Sequence, residues 1–597
     1  MGINLFRNRS ARFRKQLLNV NTVIVQVAAI IGIGLIIYIY GFNHTDSIQS
    51  RLFRGSIAVL ITFVFGYVVR WILSPEPRSF ATNTRWEIIL LILAVLSVLL
   101  SLFRDSVFPL IFPTFSSEQI QLYSELLVSI SLLLLVFFES SRALFQIAEV
   151  KIRPSAAFII SFLLLIAVGT GLLMLPTMTT LPGGLSAIDA LFMATSASCV
   201  TGLSVVNTAT DLTFRGQLVL LVLFQIGGLG ILAFATFFTS FLNANIGIRQ
   251  AKMIPDYLDG ETLGNARPLL QRIVLLTILI EAGTFLAIMY LWGNYPFQDW
   301  GERIFFSAFH AVSAFCNAGF TLFSESFYEP VIRQMYVLHA ITAVAIVLGS
   351  LGFAPLNNIF SPRQLRHRLE KPWIDWHLST KIAVNTALIL LIVGTVGFYW
   401  LERSNTLAEM NLTESLISSF FQSATARTAG FNTVDISQIT VPAMVLLMFL
   451  MFIGGSSGST AGGIKTSTFF LLVASVVSTS RGSSHIKIGN RHISSEVVFK
   501  ALSIFFYGIA INLIGVFILS ISEPHLPIMD ITFEQVSAFG TVGLSRGITA
   551  SLSDVGKIVI IITMFLGRVG TLTFAIALST RVISQNYKLP EEELMVG

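Results

Sequence analysis

The sequence predicts an all-α polytopic membrane protein in which four copies of one structural unit follow four additional transmembrane helices. Two observations carry this prediction: the hydropathy of the chain and a short segment that recurs four times. Of 597 residues, 54% are hydrophobic and 12% are charged, which is about half of the charged share of an average soluble domain. A chain of this composition needs lipid around it.

The apolar residues form runs long enough to cross a bilayer, which takes roughly 20 residues in a helix. The first run starts behind a basic segment and lacks the short apolar region and cleavage site of a signal peptide. Gly or Pro interrupts some runs, which helices buried in protein tolerate. We predict twelve spans, at 20–42, 55–73, 86–103, 120–138, 155–175, 216–242, 269–292, 337–352, 380–400, 441–479, 497–520 and 555–578.

The distribution of basic residues predicts the orientation. If the spans alternate from a cytoplasmic N-terminus, the inner segments carry 26 of the 38 Lys and Arg residues and the outer segments carry 10. Because cytoplasmic loops are enriched in these residues, both termini are expected in the cytoplasm. The net charge of +6 therefore reflects orientation. No basic patch interleaved with aromatic residues indicates nucleic-acid binding.

A twelve-residue segment recurs four times without gaps, as FMATSASCVTGL, FHAVSAFCNAGF, FFQSATARTAGF and FEQVSAFGTVGL. Each copy has Phe ten residues before a Gly, and that Gly is followed by Leu or Phe. The four glycines are 117, 111 and 113 residues apart, and each copy lies between two apolar runs on the predicted outer side. Such agreement is not chance. The glycines are Gly202, Gly319, Gly430 and Gly543.

The two cysteines occupy the same position in their repeats, three residues before the glycine. Cys199 and Cys316 fall there, where the other copies have Arg427 and Gly540. A disulfide is possible on number alone. The shared position favours the other explanation, a small residue that packs at the end of a short helix.

Each repeated segment predicts a short re-entrant helix followed by a glycine turn, since it is too short to span. Non-helical backbone at membrane depth is tolerated where it lines a water-filled cavity or is buried in protein. Gly adopts dihedrals that align successive carbonyls, and four converging turns would present rings of oxygens that replace a cation's hydration shell. The alternative is glycine-rich packing turns in an unrelated transporter, but packing does not require the same turn four times.

Seven motifs make residues 155–597 resemble the Trk/Ktr/HKT superfamily of potassium transporters, most closely the bacterial Ktr membrane subunit. That resemblance implies four helix–pore-loop–helix repeats with pseudo-fourfold symmetry around one pore. It does not extend over the first 150 residues. The motifs are TSASCVTGLSVVNT, FCNAGF, ARTAGFNTVD, SAFGTVGLS, FQIGGLGIL, IGGSSGSTAGGIKT and FLGRVGTLT.

The resemblance implies a potassium-binding selectivity filter at the repeated turns. In this family, Ser in place of the first filter glycine goes with sodium permeation, whereas here all four positions are Gly. The implied function is potassium uptake, with a sodium-permeable or sodium/potassium-cotransporting HKT-like protein as the alternative. The filter residues carried over are Val200, Thr201, Gly202, Asn317, Ala318, Gly319, Thr428, Ala429, Gly430, Thr541, Val542 and Gly543.

A glycine-rich loop at 454–463 interrupts the apolar run of the third repeat. Five glycines and four hydroxyl residues in ten positions cannot form a lipid-facing helix. A phosphate-binding loop is excluded because Ile464 separates Gly463 from Lys465. The resemblance implies an intramembrane gating loop; a static kink is the alternative. Its glycines are Gly454, Gly455, Gly458, Gly462 and Gly463.

Two basic residues lie within predicted spans. An intramembrane charge is costly and usually faces a cavity with a function. The resemblance makes Arg568 a pore charge barrier that resists cation passage; a structural partner for backbone carbonyls is the alternative. The sequence leaves the role of Lys465 open; one option is a position near the predicted inner interface, where its side chain can snorkel.

The resemblance also implies the setting. It predicts a homodimer in the bacterial plasma or inner membrane, on a cytoplasmic ring of separate nucleotide-binding regulatory subunits. The candidate contacts are 363–371, 481–491 and the tail PEEELMVG. No cofactor is expected on this chain; potassium is the transported ion, and sodium stays open as a coupling or regulatory ion. With no GxSxG motif and no metal spacing among eight His, a membrane enzyme is disfavoured.

Together these patterns predict five regions. The first is an N-terminal four-helix extension whose function the sequence does not reveal, and the other four are the repeats, the third of which contains the gating loop. The predicted bounds are 1–150, 151–245, 246–360, 361–480 and 481–597.

Overall fold

The computed structural model describes residues 2–74, 78–80, 84–102, 124–136, 139, 154–242, 266–293, 295–371, 376–483, 486–488 and 491–570. The predicted contact made by the tail 590–597 lies outside these residues, and so does part of the predicted contact at 481–491. The described residues separate into two compact units. One lies within Met1–Ile152 and Leu175–Gly184, the other within Arg153–Met174 and Leu185–Gly597.

The first unit is a helical bundle whose interior is both apolar and ionic. Leu60, Phe63 and Leu132 pack in its core. Arg70 forms ion pairs with Glu87 at 3.3 Å and with Glu139 at 2.5 Å. This pairing makes the burial of the three charges tolerable, since a buried charge without a partner is strongly destabilising. The helices are Gly2–Gly41, Asp46–Ile72, Arg85–Leu102 and Ser124–Val136, and a short 3₁₀ helix follows at Pro176–Met178.

The second unit contains four repeats of an outer helix, a short helix and an inner helix. The outer helices are Pro154–Leu173, Ala266–Leu291, Leu378–Glu402 and Ser495–Ser522. The short helices are Ala187–Ser198, Trp300–Cys316, Leu412–Thr425 and Ile528–Gly540. The inner helices, or their first parts where a helix is broken, are Phe214–Leu242, Tyr336–Leu351, Val441–Phe452 and Asp554–Val569.

The outer helices present large apolar side chains to their surroundings. One example from each repeat is Leu164, Leu279, Ile389 and Phe517, all at least 60% exposed. Such surfaces suit lipid and not water. Among the described residues, five helices are long and apolar enough to cross a membrane, and a bent pair makes a sixth.

Within the described residues two inner helices are broken, and both breaks bear on the site. In the second repeat, Tyr336–Leu351 meets Phe353–Phe360 at 107°, and Gly352 between them has a φ of +87° that favours glycine. In the third repeat, the chain leaves the helix after Phe452 and resumes it in Thr466–Ser480. The segments predicted to contact a regulatory partner include a helix at Pro362–Glu370 and part of an antiparallel hairpin of Ile486–Ile488 with Arg491–Ile493.

Candidate functional site

The site begins with the four short helices, whose starts are fixed by side-chain caps in three repeats. Ser186 accepts from the Asp189 N–H at 3.1 Å and Asp299 accepts from the Glu302 N–H at 2.7 Å. Asn411 forms a capping box with the third helical residue. Such caps satisfy N–H groups that have no partner inside the helix. Three of the short helices are therefore held at their starts, and the C-terminal end of each of the four leads into a repeated turn.

The backbone repeats the same unusual conformation at all four turns, here called the turn segments (200–202, 317–319, 428–430 and 541–543). The first residue of each has a positive φ: 58° at Val200, 59° at Asn317, 90° at Thr428 and 49° at Thr541. The glycine two residues later has a φ between +71° and +93°. Left-handed backbone is a genuine outlier for β-branched residues and costs about 1–3 kcal/mol each. Such strain clusters at functional sites.

The four glycines of the turn segments form a closed ring in chain order. A Cβ added to Gly202 would lie 3.0 Å from the Cα of Gly319, and one on Gly319 would lie 3.2 Å from that of Gly430. The same construction on Gly430 meets Gly543 at 3.1 Å, and on Gly543 it meets Gly202 at 3.1 Å. Since the series returns to its start, the four turns surround one axis.

A backbone carbonyl stands beside each glycine of this ring. A Cβ added to Gly202 would lie 2.6 Å from the Ala318 oxygen, and one added to Gly319 would lie 2.6 Å from the Ala429 oxygen. The oxygens of Val542 and Thr201 crowd the remaining two glycines. A side chain at these positions would displace a carbonyl of the neighbouring repeat. Four converging carbonyls can coordinate a dehydrated cation, and the short helices direct their negative ends towards it.

Side-chain hydrogen bonds hold the turn segments on the short helices. The Gly202 N–H donates to Ser196 Oγ at 3.1 Å, and the Gly543 N–H donates to Ser537 Oγ at 3.2 Å. Between repeats, the side-chain amide of Asn317 lies 3.1 Å from the Thr428 hydroxyl. Ser196 and Ser537, each six residues before the glycine of its repeat, are thus part of the scaffold of the turns.

The glycine-rich loop (454–463) folds back on the helix that precedes it. The Gly454 N–H donates to the Ile464 carbonyl at 2.9 Å, and the Thr466 N–H donates to the Gly455 carbonyl at 3.0 Å. Most of the loop is buried, although Ser457 at its tip is exposed. Buried loop backbone needs hydrogen-bond partners, and other repeats supply several of them.

The break in the second inner helix receives this loop. The Ser456 N–H donates to the Ser350 carbonyl at 2.8 Å, and the Phe353 N–H donates to the Gly458 carbonyl at 3.1 Å. The break leaves helix-end groups without partners in their own helix, and the loop satisfies them. The second and third repeats are therefore joined through the loop.

The glycine-rich loop also contacts the turn segments. A Cβ on Gly454 would lie 3.3 Å from Thr428 Cγ2, and one on Gly462 would meet the Thr541 hydroxyl. The Thr460 hydroxyl donates to the Phe315 carbonyl at 3.3 Å, near the end of the second short helix. Glycine is needed here because the loop backbone touches residues of the turns themselves.

Three basic side chains bind carbonyls of the loop. Arg568, 1% exposed, donates to the Thr460 carbonyl and, at 2.6 Å, to the Gly227 carbonyl of the first inner helix. The Nζ of Lys465 lies 2.6 Å from the Ala461 carbonyl, so this side chain turns into the loop. Arg427 donates to the Gly454 carbonyl at 3.4 Å. In the sequence, Arg427 stood out only as the residue at the cysteine position of the third repeat.

The two cysteines are free and buried. Cys316 ends the second short helix, and its Sγ lies 2.7 Å from where a Cβ on Gly228 would be. The packing explanation is confirmed, and the disulfide alternative is wrong.

Comparison with known proteins agrees with this geometry. The family described as "TrkH: Cation transport protein" matches residues 128–588. The chain belongs to this family. It is a multi-pass membrane protein of a cation-transporting family and not an enzyme, and the predicted fold class and family are confirmed.

Curated relatives and a solved structure resemble this family member over most of its length. The "Ktr system potassium uptake protein B" of Bacillus subtilis is 37% identical over 452 residues, covering 75% of this chain and 98% of that protein. The "Potassium/sodium uptake protein NtpJ" of Enterococcus hirae is 36% identical, with the same coverage of 75% and 98%. The crystal structure of the potassium transporter TrkH from Vibrio parahaemolyticus matches with a TM-score of 0.55 at 19% identity, covering 82% of this chain and 97% of that chain.

Proposed function

We propose that this protein takes up potassium across the bacterial cell membrane as the ion-conducting subunit of a Ktr-type system. The closed ring of Gly202, Gly319, Gly430 and Gly543, with a carbonyl beside each, is the observation that carries the proposal. In this proposal the turn segments are the selectivity filter, and their carbonyls replace the hydration shell of the ion. Two relatives whose names include potassium uptake support the choice of ion.

Selectivity for potassium follows from the four glycines. None of them carries a side chain that would push a neighbouring carbonyl out of the ring. Sodium permeation is the second candidate function. The Enterococcus relative supports this candidate, because its name includes sodium as well as potassium. Sodium acting as a coupling or regulatory ion belongs to the same candidate.

The glycine-rich loop is the gate of this proposal. It contacts residues of two turn segments through Gly454 and Gly462, so it stands where it can obstruct an ion leaving the filter. Arg568 adds a fixed positive charge there and also binds the Thr460 carbonyl. The barrier function and the carbonyl-partner function are therefore compatible in this side chain.

Regulation would reach the gate from the cytoplasmic side. Phe353, whose N–H donates to the Gly458 carbonyl at 3.1 Å, begins the helix that leads into Pro362–Glu370. That basic helix is a candidate contact for a nucleotide-binding regulatory ring, as the Ktr-system names of relatives suggest. A homodimer with cytoplasmic termini completes the proposal, with the regulatory subunit as a separate chain.

Flux from proteoliposomes tests the proposal. Purified protein is reconstituted, and uptake of rubidium, potassium and sodium is compared under the same electrical driving force. We expect rubidium and potassium to enter well ahead of sodium. Equal sodium and potassium flux would overturn the potassium assignment, and the effect of a sodium gradient on potassium uptake would identify cotransport.

A further inference from the structure

A polar cluster lies at the C-terminal end of the second short helix, next to the turn segment 317–319. Glu281 of the second outer helix receives a hydrogen bond from the Gln225 amide of the first inner helix at 3.2 Å. The Cys316 thiol donates to Gln225 Oε1 at 3.2 Å and lies 3.9 Å from Glu281 Oε1. Glu281 is 9% exposed. Three helices therefore enclose one carboxyl group in a segment that spans the membrane.

Within the described residues, the carboxylate of Glu281 lacks the backbone N–H donors that two other buried carboxylates, Glu402 and Glu523, have. Among the described residues it forms no ion pair, and Gln225 and Cys316 supply its side-chain hydrogen bonds. Glu402 differs, because the Thr440 N–H and hydroxyl both donate to it at 2.7 Å. Glu523 is similarly bound by the Ser553 N–H at 3.0 Å. Both carboxylates contact the N-terminus of the inner helix of the same repeat, at the N-cap residues Thr440 and Ser553. A helix N-terminus stabilises negative charge, whereas the hydrogen-bond partners of Glu281 among the described residues are side chains only.

A second polar group shares the buried face of the outer helix. Thr277, one helical turn before Glu281, is 1% exposed, and its hydroxyl has no hydrogen-bond partner among the described residues. Residues four apart on a helix are neighbours on its surface. Carboxylate, amide and hydroxyl oxygens are the hard ligands that small cations prefer.

Among the side chains that the structure describes, few other titratable or charged groups face this carboxyl from the helices packed around it. Cys316 is the one in contact, on the second short helix. On that helix, His310 is engaged with Phe306 O and the Leu322 N–H, and on the second inner helix His339 lies among aromatic rings. Arg568 approaches the first inner helix at the Gly227 carbonyl, two residues beyond Gln225.

We propose that Glu281 is a binding site for a monovalent cation, a proton or sodium, outside the conduction path, and that its occupancy sets the rate of ion flux. An isolated carboxylate inside a membrane protein is costly, so the group holds a neutralising cation. Cys316 directly precedes the turn segment 317–319, and the first inner helix holds Arg568 through Gly227. Occupancy thus acts on both the turn and the gate. The predicted effect on flux rests on the proposed transport function, whereas cation binding at Glu281 can be tested without it.

The test compares the intact protein with Glu281→Gln, which keeps the shape but cannot ionise, and with Glu523→Gln as a matched buried-carboxyl control. The thermal unfolding midpoint and rubidium flux are each measured from pH 6 to 8 in choline, and then with sodium replacing choline at fixed pH. In the intact protein and the control, we expect the unfolding midpoint and the rubidium flux to change with pH if the bound cation is a proton. If the bound cation is sodium, both should change when sodium replaces choline. Glu281→Gln should lose that response in both measurements.

Equal responses of Glu281→Gln and the intact protein, or no response of the intact protein, would overturn the proposal. Gln225→Leu provides a second variant should Glu281→Gln fold poorly, and it should shift the midpoint of the response because a donor to the carboxyl is lost. The unfolding midpoint decides the question even if reconstituted protein shows no rubidium flux, a result that would instead contradict the proposed function.

Discussion

At the scale of single residues, strain and close approach are concentrated in the turn segments. Val200, Thr428 and Thr541 are β-branched residues held at positive φ, at a cost of about 1–3 kcal/mol each. Tertiary contacts must repay that cost, and the Asn317–Thr428 contact at 3.1 Å is one of them. A conformation maintained at such cost three times makes these positions sensitive to small changes.

The substitution Gly202→Ser should reduce the preference for potassium over sodium. Its Cβ would lie 2.6 Å from the Ala318 oxygen at a φ of +90°, so the neighbouring carbonyl must move. The free energy of unfolding should fall by about 1–3 kcal/mol because of the left-handed backbone. Rubidium and sodium flux, measured with thermal unfolding, check both effects.

Gly171→Ser is the matched control for this substitution. Gly171 lies in the outer helix of the same repeat with nothing within 4 Å of its added Cβ. It should leave the flux ratio unchanged. An unaltered ratio in Gly202→Ser itself would contradict the filter assignment of this turn.

The substitution Arg568→Gln should raise potassium flux without changing selectivity. A fixed positive charge 4 Å from the ion opposes it by about 4 kcal/mol at an effective dielectric of 20. Even a third of this, at about 1.4 kcal/mol per tenfold change in rate, raises flux roughly tenfold. Uptake per folded molecule is the measurement, with detergent-stable yield as its control.

Arg568→Lys separates charge from hydrogen bonding at this position. Lys keeps the positive charge. It lacks the planar guanidinium with which Arg568 binds the Thr460 and Gly227 carbonyls at the same time. Flux near that of the unchanged protein is expected. A well-folded Arg568→Gln protein with unchanged or lower flux would refute the barrier.

At the scale of elements, the glycine-rich loop joins parts of all four repeats. It leaves the third inner helix, accepts from Phe353 of the second repeat and is bound by Arg568 of the fourth, which also holds Gly227 of the first. An element with partners on every side can change its position only by exchanging those contacts. If the loop is the proposed gate, opening it must break and replace these contacts.

Deleting residues 457–459 should raise flux and make it less dependent on a regulatory partner. The deletion removes the Gly458 carbonyl that accepts from Phe353, and it shortens the loop below the length needed to reach the broken helix. Ser457→Ala is the control, since Ser457 is exposed at the tip. Unchanged flux from folded protein would show that the loop is a packing kink.

At the scale of the whole molecule, period and composition predicted the four repeats and their turns from sequence. Each turn is encoded locally, by small residues and a glycine at fixed spacing, so it can be recognised in the sequence alone. The bend of 107° after Leu351 was not predicted, because the loop that receives it is far away in the chain. The Glu281 cluster was missed for the same reason: its partners are 56 and 35 residues away.

Removing residues 1–152 should leave potassium selectivity and flux per folded molecule unchanged. The four turn segments and the glycine-rich loop all belong to the second compact unit. The Bacillus relative aligns over 98% of its own length with 75% of this chain, and the family match starts only at residue 128. The relative therefore aligns over nearly its whole length with only part of this chain. Removing the four predicted N-terminal spans, an even number, preserves the orientation of the repeats.

Truncation tests this independence together with the contacts that Leu175–Gly184 makes in the first unit. The Thr177 hydroxyl donates to the Tyr40 carbonyl at 2.5 Å, and Leu175 packs on Gly41. Some loss of stability is expected, because these groups lose their partners, and thermal unfolding measures it. Rubidium and sodium uptake per folded molecule measures the rest. A changed flux ratio in folded truncated protein would mean that the first unit takes part in selecting the ion.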